Sequence, residues 1–209
     1  MGDRLVVGFD LDMTLIDTRV GFAACLRALA EETGVEYDID ALITRLGPPL
    51  DLMLADYVDD PDLIARLVDR FRAIYPDTAV APTPAFAGAY EALAAVRRHG
   101  GATIVVTGKH QPNARLHLDH LAFDVDELVG WAWGAGKAEH LVAHGASVFV
   151  GDHVHDVEGA LAAGVTSVSL LTGGCTEREL RAAGTHVVLT DLTEFPAWLD
   201  QHLIESKAS

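Results

Sequence analysis

The stretch Leu5-Val6-Val7-Gly8-Phe9-Asp10-Leu11-Asp12-Met13-Thr14-Leu15 decides the reading of this chain. Val6, Val7 and Phe9 form an apolar run too continuous for a half-exposed strand, so a short buried strand is expected. Two aspartates close it, two residues apart, with a threonine two further on. In an open α/β sheet the carboxyl ends of the strands are where ligands bind. Two carboxylates crowded there repel each other unless a cation or a shared proton compensates, so the stretch asks for a metal ion. The pattern alone is a moderate signal. At roughly one in twenty per residue type, Asp-x-Asp-x-Thr arises by chance in about one chain of this length in forty. An acidic turn that merely caps the next helix would read the same.

The 209 residues, half of them apolar, suffice for one full core and a small appendage. No run approaches a membrane span and no signal-like segment precedes Val6, so a cytoplasmic protein without a membrane partner is expected. Cys25 and Cys175 lie far apart with no metal or redox spacing, and read as free thiols. A formal charge of −16 argues against a nucleic-acid partner, whose phosphates require basic patches. It also means that an anionic substrate must be met by local positive charge or a bound metal. Monomer and homodimer both stay open.

Working outward, a helical pattern runs from Asp17 and Thr18 to Thr33 and is ended by Gly34. Helices are expected at Asp40–Leu46, Leu50–Val58 and Pro61–Ile74, punctuated by Pro48, Pro49 and Pro61. Nothing between 18 and 80 reads as a strand. From Pro82 the rhythm becomes strand alternating with helix. The expected strands are Ala102–Val106, Glu127–Val129, Ser147–Val150, Thr166–Leu170 and His186–Leu189. The expected helices are Ala85–His99, Pro112–Leu121, Lys137–His144, Val157–Ala163, Glu177–Ala183 and Thr193–His202. The fold class is therefore α/β, a doubly wound parallel sheet, with a small helical domain inserted after the first strand. Its core would span 1–16 and 82–209, and the insert 17–81.

Further polar groups fall at the ends of these elements. Thr107 follows Ile104-Val105-Val106, and Gly108 lets backbone approach a ligand. Lys137 opens a helix after Gly134-Ala135-Gly136, placing an ammonium beside amides that favour anions. Asp152 follows Val148-Phe149-Val150-Gly151, and Asp156 lies four residues on. Singly, Thr107 reads as well as a cap, Lys137 as a solvated helix residue and the aspartates as turn residues. Their joint placement at one end of the sheet favours a site.

Gly8-Phe9-Asp10-Leu11-Asp12-Met13-Thr14-Leu15-Ile16-Asp17-Thr18, Val106-Thr107-Gly108-Lys109, Lys137 and Gly151-Asp152-His153-Val154-His155-Asp156 resemble, in order, the four motifs of the haloacid dehalogenase superfamily. The insert is similar to the cap of its phosphoglycolate-phosphatase-like members. The resemblance implies that Asp10 is the nucleophile, forming an aspartyl-phosphate, and that Asp12 is the general acid and base. It implies magnesium held by Asp10, the Asp12 carbonyl and Asp152. Thr107, Gly108 and Lys137 would bind the phosphoryl group, with Asp156 supporting Lys137 or a metal-bound water. The implied partner is a small phosphorylated metabolite, phosphoglycolate leading. A carboxylate at Asp12 favours phosphate over halide chemistry. Sugar-phosphate mutase, inorganic pyrophosphatase and a non-catalytic phosphate binder are the alternatives. Asp17 to Cys25 carries neither the histidine nor the lysine of mutase caps, which favours hydrolysis.

His117, His120, His140 and His144 read as solvated helix residues, and Asp56 to Asp62 as a solvated loop. His153 and His155 read as loop residues or as part of the site's mouth. Trp131 and Trp133 are either pocket wall or packing. Arg19, Arg45 and the Gly47-Pro48-Pro49 turn are candidate substrate contacts.

Overall fold

A computed structural model describes residues 4–208. The ends of the expected core range, 1–3 and 209, lie outside the described residues. Six strands, β1 (Val6–Phe9), β2 (Ala102–Val106), β3 (Glu127–Val129), β4 (Val148–Gly151), β5 (Thr166–Leu170) and β6 (Val187–Leu189), form one sheet. Their order is β3-β2-β1-β4-β5-β6 and every pairing is parallel. All residues of β1, β2 and β4 are buried, as strands covered on both faces must be. Alternate side chains feed opposite faces. Val7, Phe9 and Val105 join one apolar cluster, and Val6, Ile104 and Phe149 another. The order reverses at β1, between β2 and β4, and such a switch point opens a crevice at the carboxyl ends of the strands.

Helices α1 (Arg19–Thr33), α2 (Ile39–Thr44), α3 (Leu50–Leu54) and α4 (Pro61–Thr78) fill the segment after β1. Gly34 ends α1 in the left-handed region at φ 72°, a conformation costly to other residues. The four helices share an apolar cluster of their own that includes Leu26, Leu29, Leu54, Phe71 and Tyr75. The chain leaves and returns through one seam: Asp17 N donates to Pro84 O and Phe86 N to Leu15 O, each at 2.9 Å. Ile16 and Ala85 pair there as antiparallel strands do. That pairing corrects the expected helix at Ala85–His99, because Ala85 is held extended and the helix, α5 (Ala89–Arg98), starts later. The remaining helices are α6 (Gln111–His120), α7 (Lys137–Ala143), α8 (Val154–Ala163), α9 (Glu177–Ala182) and α10 (Phe195–Ala208). α4 runs past its expected end at Ile74 and accommodates Pro76 in its last turn.

One histidine is not solvated as expected. His117 on α6 is fully buried, and its Nε2 lies 2.8 Å from the Tyr75 hydroxyl on α4. This bond ties the helical insert to the core. Burial, reinforced by the nearby Lys109 cation, pushes His117 down to about 4. The unfolded chain then binds a proton near pH 6.5 that the folded chain refuses. Stability is therefore full above about pH 6.5 and declines as pH falls toward 4, by at most about 3 kcal/mol. Urea titrations across that window should show the slope in the wild type and a flatter profile in His117→Gln.

Candidate active site

The first strand ends at Phe9, so Asp10 and Asp12 both lie in the loop beyond it rather than on one strand face. That loop is tight: Leu15 N and Ile16 N donate back to Leu11 O, and Met13 takes a positive φ of 63°. The turn separates the two carboxylates. Asp10 is buried and faces Lys137, whose Nζ lies 2.6 Å from Asp10 Oδ1 and 2.6 Å from Asp156 Oδ1. Asp12 accepts instead from Lys109 Nζ at 2.8 Å.

Asp10, Asp152 and Asp156 bring one carboxylate oxygen each within 4.8 Å of one another, all buried. Burial pushes Asp10 up to about 7, although Lys137 opposes the shift. Burial, then the charges of Asp156 and Asp10, push Asp152 well above the usual carboxylate range. Burial alone would lower Lys137, but Asp10 and Asp156 outweigh it and hold the ammonium charged. One cation thus faces three carboxylates.

Their hydrogen bonds sort the three. Asp156 spends Oδ1 on Lys137, and Oδ2 on the backbone N–H groups of Asp152 and His153 at 3.1 Å each. Asp152 Oδ1 accepts from Thr14 Oγ1 at 2.8 Å. Among the described residues, Asp10 Oδ2 and Asp152 Oδ2 accept no hydrogen bond. Gly173 backs the second of these closely, since a Cβ there would fall 1.9 Å from Asp152 Oδ2. Two carboxylate oxygens without donors, on groups whose charge is disfavoured in a cluster short of positive charge, suit a hard divalent cation that would restore it. The residues present therefore fit magnesium.

Above the carboxylates lies a cavity of about 250 Å³. The core lines it with Asp10, Asp12, Thr107, Gly108, Lys137, Asp152 and Asp156, so the residues expected from the sequence come together, and Lys109 joins them. The buried Thr107 hydroxyl accepts from Lys109 N at 3.2 Å, leaving its proton for a ligand. His153 and His155 line the same space, as do Trp131 and Trp133. From the insert come Phe22, Phe71, Tyr75 and the Gly47-Pro48-Pro49 turn. The other two candidate contacts are not there: Arg19 pairs with Asp17 and Arg45 with Asp56, both on the surface. Arg72 on α4 lines the cavity instead.

Two partners escaped the sequence reading. Thr14 steadies Asp152, and Lys109 holds Asp12 while its Nζ sits 4.6 Å from the centre of the Tyr75 ring. Burial opposes the Lys109 charge, but Asp12 and Tyr75 together hold its pKa above the ordinary lysine value. The Thr14 signal was present in the quoted stretch. The Lys109 partnership spans 97 residues and left no local trace.

Similarity to known proteins agrees with this geometry. Residues 7–128 match the family model of haloacid dehalogenase-like hydrolases, and residues 132–195 match a second, HAD-hydrolase-like model. A 5′-nucleotidase of Pseudomonas aeruginosa is 29% identical, over 93% of this chain and 95% of its own. A phosphoglycolate phosphatase of Caulobacter vibrioides is 29% identical, over 91% and 88%. The solved structure of a haloacid dehalogenase-like hydrolase from Streptococcus pneumoniae superposes with a TM-score of 0.83 at 21% identity, covering 95% of this chain and all of that one. The chain belongs to the haloacid dehalogenase-like hydrolases.

Proposed function

We propose that the protein is a magnesium-dependent hydrolase of a small organic phosphomonoester, acting through an aspartyl-phosphate on Asp10. The observation that carries this reading is the buried Asp10–Lys137–Asp156 cluster beside Asp152, at the floor of a cavity that also holds Thr107 and Asp12. Asp10, the Asp12 carbonyl and Asp152 would hold magnesium, which screens the approach of the nucleophile to an anionic phosphoryl group. Asp10 attacks phosphorus. Thr107 Oγ1, the Gly108 backbone and Lys137 Nζ take the phosphoryl oxygens, and Asp156 keeps Lys137 aimed. Asp12 gives a proton to the departing alcohol and then takes one from the water that cleaves the acyl phosphate. Residues 17–81 act as a cap that closes this space to solvent. Phosphoglycolate and nucleoside monophosphates are the substrates that the relatives' names support. The protein is proposed to work in the cytoplasm. Among its described residues no helix is long and apolar enough to cross a membrane.

The test is inorganic phosphate release from a panel of phosphomonoesters, with magnesium and with EDTA. Magnesium-dependent release supports the hydrolase. Isomerised sugar phosphate in its place would make it a mutase, release from pyrophosphate alone a pyrophosphatase, and binding without turnover a regulatory protein.

The role of Asp12 separates by leaving group. Asp12→Asn should lower turnover of an alkyl phosphate by about a hundred- to ten-thousand-fold. With p-nitrophenyl phosphate, whose alcohol departs unprotonated, the variant should give a stoichiometric burst and then stall, because dephosphorylation still lacks its base. Lys109→Met should shift in the same direction, since its ammonium holds the Asp12 carboxylate in place. Stopped-flow absorbance reads both.

A further inference from the structure

Beyond the phosphoryl subsite, the cavity wall is made of rings and apolar side chains. Loops 107–110 and 130–133 are stitched together by Trp131 N donating to Lys109 O at 3.0 Å and Ala132 N to Thr107 O at 2.9 Å. Together they present His110 against Trp131, with centroids 5.2 Å apart, and Trp133 against His155 at 4.2 Å. A Cβ added at Gly108 would lie 3.5 Å from Trp133, so the rings begin where the phosphate-binding backbone ends. On the opposite side the cap contributes Phe22, Phe71, Met53 and Pro49.

Two features of this wall leave ring surface and polar ring edges open toward the cavity. Trp131 takes a positive φ of 56°, a costly conformation for a bulky residue, and yet 57% of its surface is exposed. One face of its ring rests on His110, and the rest is left open at the rim of the cavity, where a ligand can reach it. Trp133 Nε1 and His110 Nδ1 are buried without a hydrogen-bond partner among the described residues, although both rings line the cavity. An acid tail, by contrast, finds little here. Lys109 and Lys137 are each engaged by aspartate, leaving Arg72, partly exposed and 3.7 Å from Asp69.

We propose that this pocket selects a phosphomonoester whose alcohol carries a flat heteroaromatic ring, as a nucleoside 5′-monophosphate does, and that Trp131 and Trp133 are its specificity-determining contacts. The ring stacks on the indoles, and its polar edge meets Trp133 Nε1 and His110 Nδ1. The proposal deepens the phosphatase reading and rests on it.

The experiment compares kcat/KM for adenosine 5′-monophosphate and phosphoglycolate in the wild type, Trp131→Ala and Trp133→Ala. Asp10→Asn serves for binding without turnover, read by quenching of tryptophan fluorescence. The expected result is a preference for the nucleotide, with the ratio of the two kcat/KM values falling about tenfold in either tryptophan variant. Nucleotide should quench the fluorescence of Asp10→Asn, and phosphoglycolate should not. A preference for phosphoglycolate, or an equal loss on both esters in the tryptophan variants, overturns the proposal while leaving the phosphatase intact. No phosphate release from either ester overturns the phosphatase reading instead, and the quenching then decides the ring contacts separately.

Discussion

Asp10→Asn should end phosphate release, a loss of at least about ten-thousand-fold, while leaving the protein folded. The proposed nucleophile has no substitute within the buried cluster. Asp152 is held by Thr14, and both oxygens of Asp156 are committed to Lys137 and backbone N–H groups. An amide at position 10 retains the shape and an acceptor for Lys137 but cannot attack phosphorus. It also removes one of the crowded carboxylates whose burial is costly. Thermal unfolding should therefore show the variant at least as stable as the wild type without magnesium. A variant that is inactive because it is unfolded would fail this expectation, and a coupled phosphate assay run beside calorimetry separates the two.

Lys137→Met should fail differently. The side chain is almost fully buried, with its ammonium between Asp10 and Asp156, and it is the cation that offsets the cluster. Removing one partner of a buried ion pair leaves uncompensated charge, typically a loss of about 3–5 kcal/mol. Methionine preserves most of the volume, so this loss is electrostatic rather than a cavity effect. Added magnesium should recover more stability in Lys137→Met than in the wild type, since it supplies charge to the same carboxylates. Activity should fall sharply even where magnesium restores the fold, because the phosphoryl oxygens lose a donor. Denaturant titrations with magnesium and with EDTA measure the first effect, and the phosphate assay measures the second.

Both variants bear on how far the sequence could be read. The strands were legible because burial writes itself as short β-branched and apolar runs: Ala102–Val106 and Thr166–Leu170 fall where expected, as does the shorter, partly exposed Glu127–Val129. Asp10, Thr107 and Asp152 were legible for a related reason, and Lys137 as the residue that opens a helix after Gly134-Ala135-Gly136. A parallel sheet brings the carboxyl ends of its strands to one side, so polar residues directly after apolar runs converge without any knowledge of distances. What was hidden depends on pairings across the fold. Ala85 is extended because Ile16 lies beside it, and no local propensity records that. His117 shows the spacing of a surface histidine, and only Tyr75, 42 residues away, explains its burial. Of the candidate contacts in the insert, the Gly47-Pro48-Pro49 turn lines the cavity and the two arginines do not. Arg19 and Arg45 find aspartates on the surface, whereas Arg72 was passed over within a helix of mixed charge.

In the proposed reaction Asp10 carries the phosphoryl group between substrate and water. The direct measurement is rapid quenching of the magnesium-loaded enzyme during turnover of a radiolabelled phosphomonoester, followed by peptide mapping. An acid-stable, hydroxylamine-sensitive label is expected on the peptide containing Asp10, and with p-nitrophenyl phosphate, whose alcohol departs unprotonated, at higher occupancy in Asp12→Asn than in the wild type. Phosphate release with no label on that peptide in either protein would contradict the proposed reaction, and would mean that water attacks the ester directly.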